Sequence, residues 1–280
     1  MSQPTLDGMP EPLYAASPAR LTTYLACPRR YRHGYLDRPT PPRRPAWGHN
    51  SVGASVHTAL ARWWDLPRER RTPRAGGVLL VSAWLGDGFR DDRQRVAARE
   101  RSREQVERYL AGVDPDDPPM AVERTVTVRT PRASLWGRVD RIDDRVAEGV
   151  VVVDYKTGRS VLTVDDARES LALAVYAAAV AHTLRRACTR VELHHLPSGR
   201  TLAWDHTEES LDRHLQQADT VAAELARLAE SAAQLSEAEA DEAFPARVGP
   251  QCGWCDFRPV CRPGRSVPQR QSWAGVVDVD

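Results

Sequence analysis

Lysine is all but missing from this chain. Of 39 basic residues, 38 are arginine and one, Lys156, is lysine. Other absences bound the class of protein. No stretch is long and apolar enough to span a membrane. The opening residues, "MSQPTLDGMPEPLYAASP", lack the basic-then-apolar pattern of a secretory signal, which points to the cytoplasm. Five cysteines in a chain expected there argue against disulfides. No G-x-x-x-x-G-K-[ST] phosphate loop occurs, so the chain has no motor of that type. A net charge of +1 excludes a polycation. What is there is 280 residues, 41% of them hydrophobic, enough for one large globular domain or two small ones.

The charge is segregated. Residues 17–50 hold seven arginines and one acid, Asp37; residues 205–242 hold eleven acids and two arginines. Each reads first as a solvated face. The basic stretch also carries Tyr24, Tyr31, Tyr35 and Trp47, and arginines interleaved with rings suit phosphates and bases. Arg29, Arg30, Arg43 and Arg44 are its candidate DNA contacts. The same tyrosines would equally serve as the core face of a helix.

Local signals order the chain. Residues 1–16 read as a loose tail. Ser17-Pro18 is a helix start, with a helix expected to about Leu36. "SVGASVHTALARWWDL" and "DDRQRVAARERSREQVERYL" are helical. "AVERTVTVRT", "ASLWGRVDRID" and "EGVVVVDYKTG" are strands with turns between them. "DDARESLALAVYAAAVAHTLRRA" is a helix, "TRVELHHLP" and "RTLAWDH" a hairpin, and an acidic helical region begins at Thr207. The expected class is α/β with a small mixed sheet flanked by helices. A single domain over residues 17–263 is expected, with its core at about 51–206, helical regions at 17–50 and 207–263, and a mobile tail at 264–280.

The lysine sits at the end of the strand "VVVVDYK". Asp154 and Lys156 are two apart and share a strand face. The valines before them are apolar on both faces, as in a buried central strand. Asp140, in "GRVDRID", lies on the preceding strand and can come beside Asp154. Paired carboxylates repel, and a divalent cation with hard oxygen ligands, magnesium or manganese, relieves this. A compact ammonium nearby can orient water or stabilise charge on a phosphate, a role for which arginine's wide fork is the wrong shape. The plain alternative is an ordinary Asp–Lys pair at a strand end. Asp143 and Asp144 compete with Asp140 but fall in an expected turn.

The cysteines form a second constellation. Cys252, Cys255 and Cys261 make C-x2-C-x5-C, and Cys27 lies far away. Cys188, in the alanine-rich helix, reads as a small buried residue. Three clustered cysteines and a remote fourth point to a metal site, and both zinc and an iron–sulfur cluster accept four thiolates.

Asp140 followed by "VVVVDYK" resembles the core of the PD-(D/E)xK nuclease superfamily, and more specifically its RecB-type exonuclease branch. "GASVHTAL" matches that branch's first motif, which implies that His57 binds metal. Glu123 in "AVERTV" occupies the place of a strand glutamate that holds a water or a second ion. "LALAVYAAA" resembles the following helix motif, with Tyr176 at the tyrosine; the glutamine usual four residues earlier is replaced by Ala172. The matches run from about Leu21 to Cys261. The resemblance implies a restriction-endonuclease-like fold and a metal-dependent deoxyribonuclease acting on single-stranded DNA or DNA ends, in repair or recombination. It implies a metal on His57, Asp140, Asp154 and the backbone carbonyl of Tyr155, with Lys156 at the reacting water. The AddB-like pattern of one early cysteine and a late triplet implies an iron–sulfur cluster on Cys27, Cys252, Cys255 and Cys261, four-iron rather than two-iron, stapling the helical terminal regions together. A nuclease subunit with a helicase partner, and a DNA-binding module with a degenerate core, are the alternatives.

Overall fold

The computed structural model describes residues 13–276. Its centre is one six-stranded mixed sheet. The strands are β1 (Tyr14–Ala16), β2 (Ala121–Arg129), β3 (Ala133–Arg145), β4 (Gly149–Lys156), β5 (Arg190–His195) and β6 (Arg200–Asp205). They lie in the order β1-β3-β4-β5-β6, with β2 also paired to β3. β2 occupies one edge of β3 from Ser134 to Ile142. The other edge is shared: β1 runs parallel along residues 133–135 and β4 antiparallel along 141–145. Residues 136–140 of β3 therefore lie between two partners, and Asp140 falls beside the end of β4.

β4 is the buried central strand its sequence implies. Val150 and Val152 pack into one core with β3 and the helices α1 (Pro18–Ala26), α7 (Leu171–Leu184) and α8 (Glu208–Ala232). Val151, Val153 and Tyr155 pack into a second core with α3 (Gly48–Trp64), α4 (Pro73–Ser82) and α5 (Asp92–Leu110). Burial of each valine contributes about 1.5–3 kcal/mol, and a run apolar on both faces gains on both sides. β4 and β5 are parallel, so the chain crosses over between them through α6 (Val164–Arg168) and α7. Short helices α2 (Pro28–Tyr31) and α9 (Glu237–Ala243) complete the set.

Several local expectations are corrected. Tyr14–Ala16 is a strand, not loose tail: Ala16 is buried and the Tyr14 and Tyr31 hydroxyls lie 2.6 Å apart. Residues 1–12 of that expected tail lie outside the described residues. Ser17 and Pro18 start α1 as expected, but the helix breaks at Cys27. Pro28 disfavours helical backbone in the residue before it, and Cys27 is extended, with φ −164° and ψ 107°. The helix expected after Asp165 divides at Ser170, which caps α7. α7 ends at Leu184, so Cys188 lies beyond it, buried as expected. Asp143 and Asp144 belong to β3 rather than a turn.

The expected mobile tail is packed over its described part. The Gly48 amide donates to Ser272 O at 3.0 Å, the Arg270 amide donates to Gly253 O at 3.0 Å, and Val276 is buried. Residues 277–280 lie outside the described residues. The terminal regions meet directly. Tyr24 Oη donates to Glu224 at 2.6 Å, and Trp47 Nε1 donates to Asp256 at 2.7 Å.

Candidate metal centre

α3 buries Val56, Ala59, Leu60 and Trp63 against β4, which leaves His57 on the flank of that stripe and half-buried. Its Nε2 lies 3.1 Å from the Tyr155 carbonyl oxygen and its Nδ1 3.2 Å from Asp140 Oδ1. Ligand atoms of His57, Glu123 and Asp140 all fall within 4.8 Å of one another. A local departure from strand geometry aims the two acids inward. The β2–β3 register is continuous except at one position, where Glu123 stands opposite Asp140. Glu123 has φ +50°, rare for a residue with a side chain and a mark of strain held for function. On β3, Val139 and Ile142 face the same core although three residues apart, so the alternation slips at Asp140.

Asp140 Oδ2 accepts the Tyr155 amide at 2.9 Å, which ties β3 to the end of β4. Asp154, next to it, pairs with Lys156 Nζ at 2.7 Å. Glu123 pairs with Arg138 at 2.7 Å. The electrostatics are those of crowded acids. Burial pushes the Asp154 carboxyl up, Lys156 pulls it back, and the charge of Asp140 pushes it up again. Burial likewise raises Glu123 against the pull of Arg138, and Asp140 adds to the rise. Burial alone would lower His57, but its hydrogen bond to Asp140 and the charges of Asp140, Asp154 and Glu123 outweigh that and raise it. Imidazole, carboxylates and a backbone carbonyl that converge in this way form a donor set for a divalent cation.

Tyr176 forms the wall of the site. A Cβ on Gly137 would clash with its Cε1, so glycine is what lets the ring lie against β3. Burial, with Asp154 and Asp140 adding to it, pushes its hydroxyl up to about 12, so it stays a hydrogen-bond donor. Ala172 sits one turn earlier on α7. The site opens into a groove of about 650 Å3 lined by His57, Glu123, Asp140 and Tyr176 together with Arg62, Trp136 and Arg138. Sequence reasoning missed the last three. The signal was present in "LWGRVD", where Trp136 and Arg138 alternate with core residues.

Behind the strand, Asp143 is a counter-ion and not a ligand. It pairs with Arg141 at 2.6 Å and Arg145 at 2.8 Å, Arg145 pairs with Glu192 at 2.9 Å, and Glu192 meets His194 at 2.9 Å. His194 Nδ1 lies 2.7 Å from Tyr109 Oη, and the rings of Tyr109 and His194 pack around Tyr155. The side chain of Tyr155 is therefore fixed on one face of the strand while its backbone serves the site.

Cys27, Cys252, Cys255 and Cys261 line one small cavity, although no three of their sulfurs approach as closely as 4.8 Å. Gly264 backs it: a Cβ there would lie 3.2 Å from Cys261 Sγ and 3.7 Å from Cys252 Sγ. The structure removes Arg29 and Arg44 from the set of free phosphate contacts. Arg29 is buried, pairs with Asp241 at 2.9 Å and donates to Phe244 O at 3.1 Å. Arg44 donates to Arg270 O at 2.9 Å and lies over the Trp47 ring. Arg30 lines the cysteine cavity with its side chain exposed, and Arg43 lies over Phe257, also exposed.

The family model of the PD-(D/E)XK nuclease superfamily matches residues 15–262. The chain belongs to the PD-(D/E)XK nuclease superfamily. Nucleases of this superfamily use divalent metals, and the His57–Glu123–Asp140 group suits one. A search of curated proteins finds no match. Among solved structures, the crystal structure of SSO0001 aligns over 91% of this chain and 88% of that one, at 13% identity and a TM-score of 0.39, a likeness too slight to bear on chemistry. Among the described residues no helix is long and apolar enough to cross a membrane.

Proposed function

We propose that this PD-(D/E)XK nuclease is a RecB-type exonuclease that uses magnesium or manganese to hydrolyse DNA in single strands or at free ends. The observation that carries the reading is the meeting of His57, Glu123 and Asp140, with His57 at the Tyr155 carbonyl, beside the Asp154–Lys156 pair. Asp140, Asp154, His57 and the Tyr155 carbonyl would hold the ion. When bound, the ion acidifies a water and polarises the phosphate. His57 offers a nitrogen only in its neutral form. The Lys156 ammonium is half-exposed and can turn from Asp154 toward an incoming phosphate oxygen or the attacking water. Tyr176, kept protonated, donates to the substrate from the groove wall. Glu123 leaves Arg138 to hold a water or a second ion.

The early and late cysteines support an iron–sulfur cluster of the four-iron kind. A tetrahedral zinc with bonds of about 2.3 Å draws its four sulfurs close together. A four-iron cluster attaches each thiolate to a different iron and holds them further apart. Arg29, Arg30, Arg247 and Arg258 line the same cavity and would offset a negative cluster. The cluster would join residues 17–50 to 207–263 within one domain over 17–263. The cellular setting that fits is cytoplasmic repair or recombination, with DNA as partner and any motor supplied by a helicase partner.

Digestion of end-labelled single- and double-stranded DNA tests the reading. Degradation from the ends with magnesium or manganese, abolished by chelation, is expected. Binding without cleavage under either ion would leave a DNA-binding module with a degenerate core instead.

A further inference from the structure

A lone exposed apolar side chain on a protein surface needs no explanation. Trp136 does, because of where it stands. It is 42% exposed and lines the groove that holds His57, Glu123 and Asp140. It lies four residues before Asp140 on β3, about 13 Å along the strand at the usual rise. Thr127 is its cross-strand partner, Thr125 stands opposite Arg138, and Ser134 precedes it on the same face. Exposed Arg138 follows it on β3, and exposed Arg62 faces it across the groove from α3.

We propose that Trp136 is a base-stacking platform, with Arg62 and Arg138 on the flanking phosphates, that selects an unpaired nucleotide of a single-stranded nucleic acid next to the scissile bond. The inference rests on the nuclease reading above and narrows its substrate class. An indole face takes a base only when that base is unstacked from its neighbours, which a single strand offers and a duplex does not. The cations match the phosphates, and the platform is continuous with the metal centre. Arg138 has a second consequence: bound to a phosphate, it releases Glu123 toward the metal.

The test uses full-length protein carrying Asp154→Ala, so that the probe survives, and a fluorescein-labelled twelve-residue oligothymidylate in magnesium. Trp136→Ala should weaken binding about tenfold, the scale of one lost base stack, and Trp136→Phe should retain most of it. A single abasic position walked along the probe should weaken the Trp136 protein about tenfold at one place. That penalty should vanish in Trp136→Ala, as coupled partners require. Duplex binding should be unchanged. Equal binding by Trp136→Ala with the same abasic profile overturns the proposal and leaves the nuclease reading standing. So does a loss shared equally by single strand and duplex. Failure of the parent protein to bind either probe overturns both.

Discussion

Tyr155 and Asp140 are joined through the backbone: the Tyr155 amide donates to Asp140 Oδ2 at 2.9 Å. The same residue's carbonyl oxygen faces His57 at 3.1 Å. One residue at the end of a buried strand thus positions two of the proposed ligands, through its amide and its carbonyl, and that carbonyl is itself a third. The aromatic side chain between those two backbone groups is clamped on the opposite face by Tyr109 and His194.

The three aspartates of "VDRIDD" separate by environment. Asp143 is buried between Arg141 and Arg145, whereas Asp144 pairs with Arg186 at the surface. Asp143→Ala leaves two partly buried guanidiniums without their counter-ion and should cost about 3–5 kcal/mol of stability. Asp144→Ala should leave stability essentially unchanged. Urea unfolding of the two variants checks this. Equal stability would mean that the network behind Tyr155 does not hold the strand.

His206 makes the fold acid-sensitive. Burial, with His214 beside it, lowers its pKa to about 4. The unfolded imidazole has a pKa near 6.5, so over the window between those values the unfolded chain binds the proton more readily. The stability it contributes is full above about pH 6.5 and is lost as pH falls toward 4. His206→Asn, which can keep a hydrogen bond to Ser210, should lose less stability than the parent between pH 7.5 and pH 5. Parallel losses would refute the assignment.

The basic segment divides into structural and free arginines. Replacing Arg30 and Arg43 with alanine should flatten the salt dependence of DNA binding by roughly one unit of slope per lost phosphate contact. Arg29→Ala should instead lower the melting temperature, because it removes a buried side chain that donates to Phe244 O and pairs with Asp241. An unchanged slope in the double variant would mean that neither arginine contacts phosphate.

How far the chain could be read from its sequence depended on the range of the cause. The period-2 geometry of a strand, together with paired acids, placed Asp140, Asp154 and Lys156, and the hydroxyl–proline pair Ser17-Pro18 placed the start of α1. Both are local. The three-residue β1 is too short to carry a pattern, and its existence depends on β3, more than a hundred residues later. The left-handed backbone of Glu123 leaves no mark in "AVERTV", because the break in pairing opposite Asp140 arises between strands. Arg29 and Arg44 look identical to phosphate-binding arginines until the C-terminal region folds onto them.

The four proposed cluster ligands should be separable from the fifth cysteine. Protein purified without oxygen should be brown, with iron and acid-labile sulfide in matching amounts. Cys27→Ala should lose the iron and become unstable or insoluble, since the cluster would close a very long loop. Cys188, whose thiol burial pushes up to about 12, should be replaceable by alanine with no change in iron content. Zinc without sulfide would refute the iron–sulfur reading and keep the four-thiolate site.

The central claim is that the one lysine of this arginine-rich chain acts at the phosphate from a fixed position beside Asp154. Single-turnover cleavage of an end-labelled single strand, with saturating manganese, by the parent protein, Lys156→Arg and Asp154→Ala tests it most directly. Both variants should fold as the parent does and lose at least about a hundredfold in rate, the lower range for a positioned charge in the transition state. Lys156→Arg should fail although it keeps the charge. Parent-like cleavage by both variants would contradict the account.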